Sequence, residues 1–149
     1  MKLAPRALPE LLAGRRIASV TGTNGKTTTT HFLTAAVRAG TPDSQRSVVT
    51  NADGANLYHG IVSALGQAPN ATIAVLETDE RVVADVVAMG SPEVLVLLNF
   101  SRDQLDRNHE LTFLGRDWRA ALEKAAEHGP TVVANACDPL IVWVCQKAR

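Results

Sequence analysis

Five short apolar runs, dense in Val, Leu and Ile, alternate along this chain with longer stretches of helical periodicity. The runs are Ile17-Ala18-Ser19-Val20, Ser47-Val48-Val49-Thr50, Thr72-Ile73-Ala74-Val75-Leu76, Val94-Leu95-Val96-Leu97-Leu98 and Thr131-Val132-Val133-Ala134. Strands covered on both faces are apolar throughout and do not alternate with polar residues. One helical stretch runs from Lys26 to Ala39, with Gly40 as its C′ residue and Pro42 just beyond. A second opens at Asp79 as N-cap, pairs Val82/Val83 with Val86/Val87, and stops at Gly90. A third spans Leu111 to His128, with Leu114, Trp118, Leu122 and Ala125 on one stripe. Such alternation predicts an α/β fold: a mostly parallel sheet, flanking helices and right-handed crossovers. The 149 residues suit one domain over 14–149, with 1–13 as a lead-in.

Polar residues gather after each apolar run, at the carboxyl edge where open α/β sheets bind ligands. The first such group is Thr21-Gly22-Thr23-Asn24-Gly25-Lys26-Thr27, between a predicted strand and a predicted helix. Phosphates are held by backbone N–H groups converging at a helix N-terminus, and glycines let the loop come close. Lys26 can reach β- and γ-phosphates and the Thr27 hydroxyl can bind Mg²⁺, so the segment reads as a P-loop for Mg-ATP. Its glycines are three apart where the usual pattern has five. The run Thr27 to Thr30 places β-branched residues in a first helical turn, where propensity alone would not choose them. A second acidic group is expected at the end of a neighbouring strand, and Glu77 follows Leu76 there. With phosphates and metal so held, phosphoryl transfer asks little beyond positioning and charge neutralisation.

Composition narrows the partners. Lys+Arg and Asp+Glu each number 15, so no basic excess points to nucleic acid or an anionic membrane. Pro5 and Arg6 interrupt the start before a secretory apolar core develops, and no stretch reaches membrane-span length. The expected location is cytoplasmic. Cys137 and Cys145 lack the spacing of a zinc site and read as packed thiols.

The loop Thr21 to Thr29 resembles the ATP loop of the Mur ligases, the amide-forming enzymes of peptidoglycan synthesis. Three further segments narrow the resemblance to that family's MurT branch: Thr50-Asn51-Ala52-Asp53-Gly54-Ala55-Asn56-Leu57, Ala74-Val75-Leu76-Glu77-Thr78-Asp79-Glu80, and Asn99-Phe100-Ser101-Arg102-Asp103-Gln104-Leu105-Asp106-Arg107. The resemblance implies the P-loop-type central ATP-binding domain of an ATP-dependent carbon–nitrogen ligase using Mg²⁺. It would activate the D-glutamate α-carboxylate of the lipid II stem peptide as an acyl phosphate. Ammonia from a GatD-type glutaminase partner would then give D-isoglutamine. Carried over by position, Gly22, Thr23, Asn24, Gly25, Lys26, Thr27 and Thr28 would cradle the nucleotide. Thr27 and Glu77 would hold the metal. Asn99, Asp103 and Asp106 would lie by the γ-phosphate and substrate, and Lys26, Glu77, Asp103 and Asp106 form the expected catalytic set. Asn135 and Asp138 would lie toward the adenine.

The departures from the family are specific. Many Mur ligases have Asp-His-x-Asp, with a metal-binding histidine, where Gln104 stands here. Arg119 falls where others carry a carbamylated lysine, and cannot take that role. Cys137 replaces the first aspartate of an Asn-Ala-Asp-Asp-Pro segment, and His109 reads as a surface residue. Members of the branch continue into a zinc ribbon, further sheet and a C-terminal domain that meets the glutaminase. A chain ending at Arg149 is therefore expected to be part of the central domain, binding nucleotide weakly and unable to turn over alone. Two other readings stay open: an amino-acid-adding Mur or folylpolyglutamate-type ligase, and a non-catalytic nucleotide-binding module.

Overall fold

A computed structural model of the chain describes residues 6–100, 108–125, 128–146 and 148. Its centre is a five-stranded parallel sheet in the order β2-β3-β1-β4-β5. The strands are β1 (Arg16–Thr21), β2 (Val48–Thr50), β3 (Ile73–Glu77), β4 (Val94–Leu97) and β5 (Thr131–Ala134). All five predicted strands are present, with ends shifted by a residue or so. Ser47, expected in β2, instead closes the short helix α3 (Ser44–Ser47).

The helices divide unequally between the two faces. α2 (Lys26–Ala39) crosses one face, against β1, β2 and β3. The other face is covered by α1 (Ala7–Leu12), α4 (Tyr58–Gln67), α5 (Val83–Gly90), α6 (Asn108–Lys124) and α7 (Pro139–Cys145). Ile17, Val49, Ala74 and Leu76 pack there on Leu8 and Leu12 of α1, Ile61 and Leu65 of α4, and Val86 of α5. Farther along, Leu95 and Leu97 meet Val83 and Val87, the α6 stripe Leu114, Trp118 and Leu122, and Ile141 and Val144 of α7. Removing side chains of this size from water contributes roughly 1.5–3 kcal/mol each.

Several expectations change. The stretch 1–13, read as a lead-in, contains α1, whose Leu8 and Leu12 are fully buried in the core. The helix expected to open at Asp79 starts four residues later, because residues 79–82 form a turn closed by Val82 N–H on Asp79 O. Gly90 stays helical and Ser91 takes the left-handed conformation, with φ of 42°. Gly40 does follow α2, but at φ of −93° it is no left-handed cap. α6 runs Asn108–Lys124, beginning and ending earlier than the predicted Leu111 to His128. β5 lies at the sheet edge with Thr131, Val133 and Ala134 exposed.

Candidate phosphate and metal site

Strand order decides which residues can meet. β1 lies between β3 and β4, in a register that pairs Val20 with Glu77 and Thr21 with Leu97. The loop Gly22–Gly25 therefore leaves β1 with the end of β3 on one side and the end of β4 on the other. The chain goes from β1 out to β2 and later returns across β1 from β3 to β4, so α2 and α5 depart on opposite faces. Such a switch point opens a crevice at the carboxyl edge.

The β4 side shapes the loop. Thr23 N–H donates to Asn99 O at 2.8 Å. Asn24 N–H donates to Asn99 Oδ1 at 3.0 Å, and Asn99 Nδ2 donates back to Asn24 O at 3.0 Å. Gly22 has φ of 136°, and a Cβ there would stand 2.9 Å from both Asn99 N and Leu98 Cβ. Only glycine fits so close an approach. Asn99, expected by the γ-phosphate, thus has its amide engaged with the loop backbone. Gly25 at the N-cap of α2 is left-handed, and no acidic residue occupies the helix's first turn. The positive end of the helix dipole is left open to an anion. Thr27 and Thr28 are exposed at this end, whereas Thr30 is buried and donates its hydroxyl to Lys26 O at 2.8 Å.

The β3 side carries the charges. Glu77 is 1% exposed; its Oε1 accepts from Asn56 Nδ2 at 2.9 Å, while its Oε2 has no partner among the described residues. A buried carboxylate oxygen without a partner is costly unless something binds it. Asn51 anchors the same residue through its backbone, accepting Glu77 N–H and donating to Glu77 O, both at 2.8 Å. No three His, Cys, Asp or Glu side chains among the described residues form a metal-binding group. Mg²⁺, however, is usually held by only one or two carboxylates together with phosphates and water.

Lys26 Nζ donates to Gly22 O at 2.6 Å and Thr23 O at 3.2 Å, and pairs with Glu80 Oε2 at 3.5 Å. Asp79 turns the other way, accepting from Arg81 N–H and Nε, both at 3.0 Å. Desolvation raises the Asp79 pKa. The hydrogen bonds and charge of Arg81, with a smaller pull from Lys26, outweigh it and hold the carboxyl below its ordinary value.

Asn135 and Asp138 follow β5. Asn135 Oδ1 accepts from Cys137 N–H, and the Asp138 carboxylate takes three backbone donors: Leu140 and Ile141 at the start of α7, and Phe100 at 2.7 Å. Asp138 therefore ties the end of β4 to α7. A cavity of about 400 Å³ opens there, lined by Phe100, Leu111, Thr112, Asn135, Cys137 and Pro139. Arg119 packs over the Trp143 ring, 4.6 Å from its centroid, and donates to Trp143 O. Asp103, Gln104 and Asp106 lie outside the described residues, as does the side chain of His109. Three residues not singled out from sequence, Asn51, Asn56 and Glu80, prove to be built into the site. All three sit in polar segments at strand ends, but only the pairing of β2 with β3 brings Asn51 and Asn56 onto Glu77, and only that of β1 with β3 brings Glu80 to Lys26.

The chain is similar to known proteins over most of its length. Residues 20–148 match the Mur ligase middle domain. The chain is 33% identical over 127 residues to MurT of Staphylococcus aureus, a lipid II isoglutaminyl synthase subunit, covering 84% of this chain and 28% of that protein. It is 35% identical over 137 residues to the Streptococcus pneumoniae counterpart, covering 89% and 29%. A UDP-N-acetylmuramate–L-alanine ligase of Saccharopolyspora erythraea is 35% identical over 134 residues, covering 89% and 25%. Among solved structures, a UDP-N-acetylmuramoyl-L-alanyl-D-glutamate–2,6-diaminopimelate ligase shares the fold with a TM-score of 0.63 at 23% identity, covering 95% of this chain and 31% of that one. The chain thus spans under a third of the length of these relatives.

Proposed function

This chain belongs to the Mur ligase family, and we propose that it is the nucleotide-binding part of an ATP-dependent ligase of peptidoglycan synthesis. The observation that carries the reading is one juxtaposition. A glycine loop with Lys26 at the head of α2 lies beside β3, whose last residue, Glu77, offers a buried and unpartnered carboxylate oxygen. Backbone N–H groups of the loop and the α2 terminus would bind the β- and γ-phosphates, with Lys26 neutralising them. Thr27 and Glu77 would hold Mg²⁺, which when bound withdraws charge from the phosphates. Asn56 keeps the Glu77 carboxylate turned to that position, and Asn99 keeps the loop closed over it. The cavity beside Asn135 and Asp138 is assigned to the adenine.

For the whole protein, the similarity to MurT favours lipid II isoglutaminyl synthase activity. The D-glutamate α-carboxylate of the stem peptide would be phosphorylated and then amidated by ammonia from a GatD-type glutaminase, at the cytoplasmic face of the membrane. Asp103 and Asp106 would act beside the transferring phosphoryl group. No helix among the described residues is long and apolar enough to cross a membrane. A second reading, an amino-acid-adding ligase, draws on the similarity to the L-alanine ligases.

The test is a thermal-shift titration with Mg-ATP beside the variant Lys26→Ala. A ligand that binds the folded state raises the unfolding midpoint by mass action. Loss of a charge-assisted phosphate contact, worth roughly 1.5–3 kcal/mol, weakens binding by about tenfold or more. Equal Mg-ATP affinity in parent and variant would overturn the assignment.

A further inference from the structure

An ammonium group has three N–H donors. In this structure Lys26 faces three acceptors: the carbonyls of Gly22 and Thr23 and the carboxylate of Glu80. The ammonium is folded back onto its own loop, so gripping a phosphate requires it to release at least one partner. The two carbonyls belong to the loop itself. Glu80 alone of the three carries a full negative charge, and it comes from a different element, the turn after β3. The Lys26 and Glu80 side chains are only 13% and 16% exposed, so solvent screens the pair less than it would at an open surface.

Glu80 is also firmly mounted. Its carbonyl accepts from Trp118 Nε1 at 2.8 Å, and Trp118 is 1% exposed with its ring centroid 4.5 Å from that of Phe100. The carboxylate therefore springs from a turn pinned to the core through α6 and cannot drift away with the loop.

Building on the reading of Gly22–Thr27 as a phosphate loop, we infer that Glu80 is the positioning residue of Lys26, a resident anion that holds the ammonium against the loop and competes with polyphosphate for it. Binding is then an exchange of anions at Nζ. An incoming polyphosphate must displace the carboxylate, and a weakly charged anion such as inorganic phosphate is turned away. Glu80 lowers affinity for every phosphate and selects for those with enough charge to win the exchange.

The experiment is calorimetric titration of the 149-residue chain with tripolyphosphate at fixed ionic strength, with EDTA present so that Glu77 and metal stay out of the comparison. Parent, Glu80→Gln, Lys26→Ala and the double variant are measured. Glu80→Gln should bind about fivefold tighter, the factor given by a pair worth ~1 kcal/mol. Lys26→Ala should bind more weakly, and adding Glu80→Gln to it should change nothing further. Equal or weaker binding by Glu80→Gln, while Lys26→Ala still loses affinity, overturns the role of Glu80 alone. Tightening that persists without Lys26 also overturns it, because Glu80 would then act on the ligand directly. If Lys26→Ala matches the parent, the phosphate-loop reading itself fails. Should Glu80→Gln not fold, Glu80→Asp carries the same test, since it draws the charge back by one methylene and should tighten binding in the same direction.

Discussion

Gly22→Ala tests the loop where the structure leaves least room. At φ of 136° an L side chain is strained wherever it sits, and such backbone strain costs of order 1–3 kcal/mol. A Cβ at Gly22 would also lie 2.9 Å from Asn99 N, 2.9 Å from Leu98 Cβ and 3.1 Å from Asn99 O. Two of those three atoms are backbone, so no rotamer change relieves the contact, and β1 and β4 must part locally at roughly 1–3 kcal/mol more. The sum is about 2–6 kcal/mol. For a chain of this size each kcal/mol lowers the midpoint by roughly 2–4 °C, so a fall of about 4–24 °C is expected. Parting the strands also disturbs the Thr23–Asn99 hydrogen bond and the Asn24–Asn99 amide pair, so phosphate affinity should fall in molecules that remain folded. Gly14→Ala is the matched control: φ there is 73°, and nothing lies within 4 Å of an added Cβ. It carries strain without collision and should cost about 1 kcal/mol. Thermal unfolding of both variants decides the matter. A Gly22→Ala midpoint no lower than that of Gly14→Ala would refute the close approach of β1 and β4.

Two further substitutions probe the flanks. Asp138→Ala removes the N-cap of α7 and leaves Phe100 N–H without its acceptor, costing about 2–4 kcal/mol in urea unfolding. A loss within experimental error of zero would show that the bond across β4 and α7 is not maintained in solution. Asp79 governs an acid limb. Its carboxyl titrates below its ordinary value of 3.8, so its contribution is fully present above that pH and is lost as pH falls through the lower folded value. Urea midpoints measured from about pH 5 down to about pH 3 should fall less steeply for Asp79→Asn than for the parent. Parallel curves would mean that Arg81 does not hold the carboxylate.

The sheet was readable because its strands are apolar throughout and its loops polar, a contrast independent of what packs where. The strand–loop–helix around Gly25 and Lys26 could be read for the same reason: it is a local structure, built from consecutive residues. The parts that escaped reading depend on pairing between distant segments. Asp79 looks like an N-cap in sequence because it precedes a valine-rich helix, yet Arg81 two residues on offers its carboxylate both a backbone and a guanidinium donor. Nothing local distinguishes Asn51 and Asn56 from ordinary loop asparagines. Their function appears only when β2 pairs with β3 and brings both onto Glu77. α1 is not legible in the sequence because six residues give too short a pattern, and Leu8 and Leu12 become core only once α4 and α5 are there to cover them.

The two neighbours of β1 divide the work of the loop, and the division can be separated by salt. On the β4 side the contacts are neutral hydrogen bonds between Asn99 and the backbone of Thr23 and Asn24, which set the shape of the loop. On the β3 side Glu80 pairs with Lys26, and Asp79 lies within reach of its charge. Neutral contacts are insensitive to ionic strength, whereas charge–charge terms decay over a screening length of roughly 8–10 Å near physiological salt and less above it. The affinity lost by Gly22→Ala, relative to the parent, should therefore hold steady as salt is raised. The affinity gained by Glu80→Gln should shrink over the same range. If both differences moved together with salt, the loop would be shaped by the charges around it, and Asn99 would be a passenger of that field, not the source of the loop's geometry.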